Sequence, residues 1–217
     1  MSANGAKTAH TSASTLNPEF TRLYDIKEAK FILNLIVDRA GGFAPPGASK
    51  ELTNPRDRQL FHHLRAQCDL ILIGAETARI EPYRDHKQQV AVMTRTGILP
   101  DDFYTGITPW IFTDSISLAH VKNCVDDRAE IFLLDSLSDL FGLTVSQGIH
   151  TVLCEGGGDL ALQLASADLL DLIFLTRLPH HSESVSLDVA LLTRGVPLLS
   201  EITEERATYQ RHERILE

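Results

Sequence analysis

The stretch Thr151-Val152-Leu153-Cys154-Glu155-Gly156-Gly157-Gly158, continued by the amphipathic run Asp159–Ala167, decides how this chain folds. A short apolar run with a β-branched residue at its centre reads as a buried strand, three glycines break it, and helical spacing follows. Strand, turn and helix in that order form the repeating unit of an α/β fold. The glycines put no Cβ in front of the first free amides of the helix, which leaves a cradle the size of a diphosphate. The same glycines also suit a plain tight turn.

The pattern recurs on both sides of this stretch. Leu70-Ile71-Leu72-Ile73-Gly74-Ala75-Glu76-Thr77-Ala78-Arg79 is another apolar strand ending in a glycine turn, and Val90-Ala91-Val92-Met93-Thr94-Arg95-Thr96-Gly97 ends in a hydroxyl and a guanidinium. Ligands of open α/β sheets lie at the carboxyl ends of the strands, so two glycine turns there can face one cleft. Thr94 and Arg95 suit a phosphomonoester through charge-assisted hydrogen bonds, and an exposed arginine in a turn fits them as well. Strands are expected at Lys30–Val37, Asp69–Ile73, Gln89–Thr94, Pro109–Thr113, Ala129–Leu134, His150–Cys154, Asp171–Leu178 and, more polar, Ala207–Arg214. The middle runs are apolar on both faces, as central strands of a parallel sheet must be.

Helices fit at Asn54–Gln67, Ser117–Asn123, Ser136–Gln147 and Gly157–Ala167. Asn54 is placed as an N-cap with Pro55 behind it, and Leu60, Phe61, Leu64 and Cys68 form the face that packs on the sheet. Residues 1–25, rich in Ser, Thr, Ala and Asn, read as a flexible leader without a signal-peptide pattern, and 26–217 as one domain.

Composition narrows the function classes. The chain has 217 residues, with 29 acidic against 20 basic side chains and a formal charge of −9. An acidic chain without a lysine or arginine run disfavours nucleic acid and anionic membranes as partners. Its apolar stretches fall short of the roughly 20 residues that cross a bilayer. Three widely spaced cysteines, Cys68, Cys124 and Cys154, argue for a reducing, cytoplasmic setting over a disulfide framework.

Taken in order, the three segments resemble the pyrimidine reductase family of riboflavin biosynthesis. This is the C-terminal domain of the bacterial bifunctional deaminase/reductase, and the chain is most like its stand-alone members. The resemblance runs over about residues 26 to 178 and includes Arg58-Gln59-Leu60-Phe61-His62-His63-Leu64-Arg65, the Gly74 turn, Thr94-Arg95 and Glu155-Gly156-Gly157. It implies a dihydrofolate reductase-like fold: three αβα layers around a mixed, mostly parallel eight-stranded sheet. It also implies NADPH as cofactor. Gly74, Ala75 and Thr77 would contact its nicotinamide half, the amides of Gly156, Gly157 and Gly158 its diphosphate, and Thr94 and Arg95 its 2′-phosphate. Glu81 and Glu155 match acidic positions at the substrate end of the cleft, and a homodimer through the sheet edge is a family expectation.

Three departures stand out. Where the family has Asn-x-x-x-Ser-x-Asp-Gly, this chain reads Asn34-Leu35-Ile36-Val37-Asp38-Arg39-Ala40-Gly41, so the carboxylate position holds Ala40. If the strand stays extended, Asp38 lies on the same face roughly 6–7 Å away and can supply the missing carboxylate or bind a different substrate. After Pro179 the polar His180-His181-Ser182-Glu183-Ser184 replaces an apolar, glycine-containing segment, and Glu81 stands where Asp is common.

The remaining polar clusters have two readings. Arg58, His62 and Arg65, spaced i, i+4 and i+7, meet a substrate phosphate or form a solvated, salt-bridged flank. Adjacent histidines such as His62-His63 and His180-His181 diverge by about 100° on a helix, so no metal is expected. Cys154 and Trp110 read as core. The expected activity is hydride transfer from NADPH to a C=N carbon of a pyrimidine or pterin-like molecule, foremost 5-amino-6-(5-phosphoribosylamino)uracil. Asn34, Arg58, His62 and Arg65 would hold the substrate, and Asp38, Glu81 or Glu155 would assist protonation. Dihydrofolate reduction, or an NADPH-binding module that has lost turnover with Ala40, are the alternatives.

Overall fold

Strands that are apolar on both faces need a helical layer on each side, and the chain supplies both. The computed structural model describes residues 16–39, 41–43, 54–81, 83, 87–179 and 185–215. Within them the strands are β1 Phe31–Val37, β2 Gly42–Phe43, β3 Leu70–Gly74, β4 Gln89–Met93, β5 Trp110–Thr113, β6 Glu130–Leu133, β7 Val152–Cys154, β8 Leu172–Arg177, β9 Val185–Ser186, β10 Leu198–Glu204 and β11 Ala207–Glu213. They form one sheet in the order β10-β11-β8-β1-β7-β3-β4-β5-β6, with the short β2 and β9 pairing beside β1. Every pair from β8 to β6 is parallel, and β11 runs antiparallel to both β8 and β10.

Alternate residues of the central strands feed opposite cores. Leu33, Leu70, Leu72, Val152 and Cys154 pack with Leu160, Ala161 and Leu164 of the Gly158–Ser166 helix and with Leu140 of the Leu140–Ser146 helix. On the other face, Ile32 and Leu153 meet Leu60 and Leu64 of the Pro55–Arg65 helix, and Ile71 and Ile73 meet Ala78, Val121 and Val125. The result is the three-layer, mostly parallel α/β architecture expected from the sequence. All eight expected strands are present, and Asn54 caps its helix as read, accepting from the Asp57 amide at 2.8 Å.

Two features differ from expectation. Residues 16–25 are no leader: Asn17 caps a Pro18–Leu23 helix, accepting from the Phe20 amide at 2.9 Å, and Phe20, Leu23 and Tyr24 are buried. Tyr24 stacks on Phe174 at 4.5 Å, Phe20 meets Tyr209 edge-on at 5.1 Å, and Arg211 donates to the Leu23 carbonyl. Burying these aromatics outweighs the entropy of ordering a short segment. Residues 1–15 lie outside the described residues. The second feature is the strand number: among the described residues the sheet has eleven strands where eight were expected, because the short β2 and β9 pair beside β1 and β10 extends the sheet beyond β11 as an exposed edge.

Candidate functional site

A cleft of ≈ 470 Å³ opens at the carboxyl ends of β3, β4 and β5, closed on one side by the start of the Gly158–Ser166 helix. Gly74, Ala75, Thr77, Thr94, Arg95, Gly157 and Gly158 all line it. The glycines divide the work. A Cβ on Gly156 would sit 2.6 Å from Leu160 Cδ2 and 3.2 Å from the Gly74 nitrogen, so Gly156 lies behind the cleft and lets the ends of β7 and β3 approach. A Cβ on Gly158 would strike the Phe43 ring at 2.7 Å. At Gly157 nothing lies within 4 Å, and this residue is the helix N-cap with no side chain capping the turn.

The Ala75–Ile80 helix also starts on this cleft, with Gly74 as an N-cap that lends no side-chain hydrogen bond. Two helix starts with amides unclaimed by side chains therefore converge on one space, a setting that favours an anion. At the far end Thr94 Oγ1 accepts from the amides of Thr96 and Gly97, each at 3.1 Å, and fixes the turn that carries Arg95. Arg95 is exposed and pairs with Asp114 at 3.2 Å.

The expected substrate residues are gathered less completely. Glu155 follows β7, where Cys154 registers with Leu33 of β1, and half-buried Asn34 is the next residue of β1. Glu155 is held by Arg65 in a fork, Nε to Oε1 at 2.7 Å and Nη2 to Oε2 at 2.6 Å, while the Tyr83 hydroxyl donates to Oε2 at 3.1 Å. The Arg65 guanidinium lies 3.8 Å over the Phe61 ring. Burial pushes the Glu155 carboxyl up, opposed by the Arg65 fork, and burial also pushes the Tyr83 phenol well up. Arg65 thus turns inward to a carboxylate, whereas Arg58 and His62 on the same stripe remain exposed. Half-buried Glu81 ends the Ala75–Ile80 helix.

Asp38 requires a correction. The strand does not stay extended past Val37: the Asp38 amide donates to the Gly42 carbonyl at 2.7 Å, and Asp38 Oδ1 accepts from the Gly42 amide at 2.7 Å. Asp38 is fully buried in this β1–β2 turn, which Gly41 completes at φ 84°. Its carboxylate ties this turn, and β1 ends at Val37. Ala40 itself and His180–Ser184 lie outside the described residues.

Asp57, Tyr83, Arg79 and Asp114 were not assigned from the sequence. Asp57 had a signal, an acid three residues after an N-cap; the others belong to no spacing pattern. Asp57 is buried, accepts from Thr176 Oγ1 at 3.1 Å, and is pushed up by burial to about 6 from its ordinary 3.8. Between those values the folded chain holds a proton that the unfolded chain has released. Stability from this group is therefore greatest near pH 4, falls as pH rises toward 6, and stays at its low level above. Asp57→Asn should remove that slope and add up to about 3 kcal/mol at pH 8. Urea unfolding at pH 4.5 and pH 8 checks it; the same difference between parent and variant at both would refute a raised Asp57.

Among the described residues no group of three or more His, Cys, Asp or Glu side chains is placed to hold a metal, and no helix is long and apolar enough to cross a membrane.

The family model described as the RibD C-terminal domain matches residues 38–181. No curated protein matches the chain. Among solved structures, a pyrimidine reductase-like protein from Corynebacterium diphtheriae superposes with TM-score 0.70 at 17% identity, covering 88% of this chain and 94% of that one. The riboflavin biosynthesis reductase Rib7 of Saccharomyces cerevisiae gives 0.67 at 15% identity, with 90% and 98% covered. Dihydrofolate reductase from Enterococcus faecalis gives 0.52 at 13% identity, with 85% and 96% covered. At these identities the likeness is one of fold, which is dihydrofolate reductase-like.

Proposed function

The chain belongs to the RibD C-terminal domain family, and from that premise we propose that it is an NADPH-dependent reductase acting on a C=N carbon of a pyrimidine or pterin-like molecule. The leading substrate is 5-amino-6-(5-phosphoribosylamino)uracil. The observation that carries this reading is the convergence of two helix starts, both with glycine N-caps, on one cleft at the strand ends. That space fits a dinucleotide: Gly157 leaves open room where a side chain would stand, and free amides face it without a capping oxygen.

In this reading Gly74, Ala75 and Thr77 border the nicotinamide half, and the amides after Gly157 meet the diphosphate. Gly156 serves by packing. Thr94 and Arg95 border the adenosine ribose. The reduced nicotinamide, when bound, supplies the hydride, and the protein contributes position and electrostatics. Glu155 is assigned to the substrate end as a positioning carboxylate, its plane fixed by Arg65 and Tyr83. Asn34, Glu81, Arg58 and His62 complete the substrate side, and pairing through a sheet edge would make the working form a homodimer.

The test follows NADPH absorbance with the aminouracil ribosyl-phosphate, and separately with dihydrofolate. Oxidation with the first is expected; none with either removes the reductase reading. A second reading, dinucleotide binding without turnover, is favoured by one observation: position 40 holds alanine, and Asp38 Oδ1 accepts from the Gly42 amide in a turn after β1, not within a continued extended strand. NADPH binding without oxidation would select it.

A further inference from the structure

We propose that Asp114 sets dinucleotide choice in this cleft, presenting a carboxylate to a ribose 2′-hydroxyl beside Arg95, so that the chain takes NADH within about tenfold of NADPH. The inference rests on the dinucleotide reading above and concerns its adenosine end.

Asp114 follows β5 directly and lines the cleft. Its carboxylate is held from two sides. Oδ1 accepts from the Ser117 amide at 2.7 Å, and Oδ2 receives Arg95 Nε at 3.2 Å. Hydrogen bonds from Ser117, more than Arg95, keep this carboxyl below its usual range, so it is ionised whenever a dinucleotide arrives at neutral pH.

In dinucleotide sites an acid near the ribose accepts from the 2′-hydroxyl, whereas an arginine there accommodates the 2′-phosphate. Here the two kinds of residue touch. A 2′-phosphate drawn to Arg95 meets a carboxylate that Ser117 holds in place, and the dianion has no proton to donate to it. A 2′-hydroxyl donates to the same carboxylate without repulsion. The other charged groups of the cleft act in the same direction. Among its lining residues Arg79 and Arg95 are cationic, and Glu76, Asp114, Asp135 and Asp159 are acidic. Carboxylates thus outnumber cations in a site that would hold a phosphate-rich ligand, and one phosphate fewer lowers the repulsion.

Dissociation constants for NADPH and NADH, measured by nucleotide fluorescence on the full chain at low salt, test the assignment. The parent should bind the two within about tenfold, and Asp114→Asn should shift the ratio toward NADPH by about another tenfold, the effect of one charge removed near a surface. The asparagine keeps an oxygen for the Ser117 amide, and an unchanged melting temperature would show that the turn survives. Arg95→Ala should weaken NADPH and leave NADH nearly unaltered. A parent preference for NADPH above about a hundredfold, or an unchanged ratio in Asp114→Asn, overturns the role of Asp114 alone. Failure of the parent to bind either dinucleotide overturns the dinucleotide reading with it.

Discussion

Exchange of Arg65 for methionine should destabilise the protein by about 3–5 kcal/mol, the range found when one partner of a buried ion pair is removed. The Glu155 side chain retains 2% of its accessible surface and that of Arg65 11%, so water cannot replace the fork. What remains in the variant is a buried carboxylate without its counter-ion, still bonded by the Tyr83 hydroxyl and beside Cys68, a buried thiol that burial already pushes up to about 12. The loss should depend on pH with a definite sign. Without the guanidinium Glu155 takes up a proton on folding, so the penalty is largest above neutrality and shrinks as pH falls toward the unfolded carboxyl range. Adding Glu155→Gln should recover most of the loss, because the double variant buries no charge. Urea denaturation of the four proteins of this cycle measures it. A single-variant loss under about 1 kcal/mol would mean that Glu155 is not held as a buried anion.

That pair also marks where the sequence stops being informative. Strands β1, β3, β4, β5 and β7 were legible because they are apolar on both faces, and the glycine turns after β3 and β7 because they interrupt such runs. The Asn54-Pro55 helix start was read correctly, yet the identical Asn17-Pro18 signal lay unread inside a stretch whose Ser and Thr content suggested a leader. What settles the second case is tertiary: Phe20 and Tyr24 have Tyr209 and Phe174 to pack against, partners nearly two hundred and one hundred and fifty residues away in the chain, on β11 and β8. Strand β10 was missed because its residues are mostly exposed and its turn lacks glycine. Glu205 and Arg206 adopt φ of 50° and 71°, the left-handed pair that a tight hairpin needs and that Asn-Gly normally advertises.

In the site, spacing found residues but not their directions. Arg58, His62 and Arg65 share a helical stripe, and only the contact with Glu155, 90 positions further on, turns Arg65 inward. The extended strand expected through Asp38 gives way for a local reason, since a carboxylate followed four residues later by a glycine amide closes a turn as readily as it extends a strand.

Gly157→Asp should separate folding from ligand binding. Gly157 sits at φ −61° and ψ 175°, a conformation open to any residue, and no atom lies within 4 Å of where a Cβ would stand. Aspartate is among the preferred N-cap residues, and its exchange with glycine there changes stability by only a few tenths of a kcal/mol. Thermal unfolding should therefore barely move. Binding should collapse, because the new carboxylate would take the same amides and place a negative charge in the diphosphate space; a loss of at least about a hundredfold in NADPH affinity is expected. Neighbouring positions cannot give so clean a result, since a side chain at 156 pushes on Leu160 and the Gly74 backbone, and one at 158 pushes on Phe43. An intact melting temperature with NADPH affinity within threefold of the parent would place the diphosphate elsewhere and leave the glycines as a packing device alone. A stable protein that no longer binds would tie the dinucleotide to the helix start, because the substitution touches no other wall of the cleft.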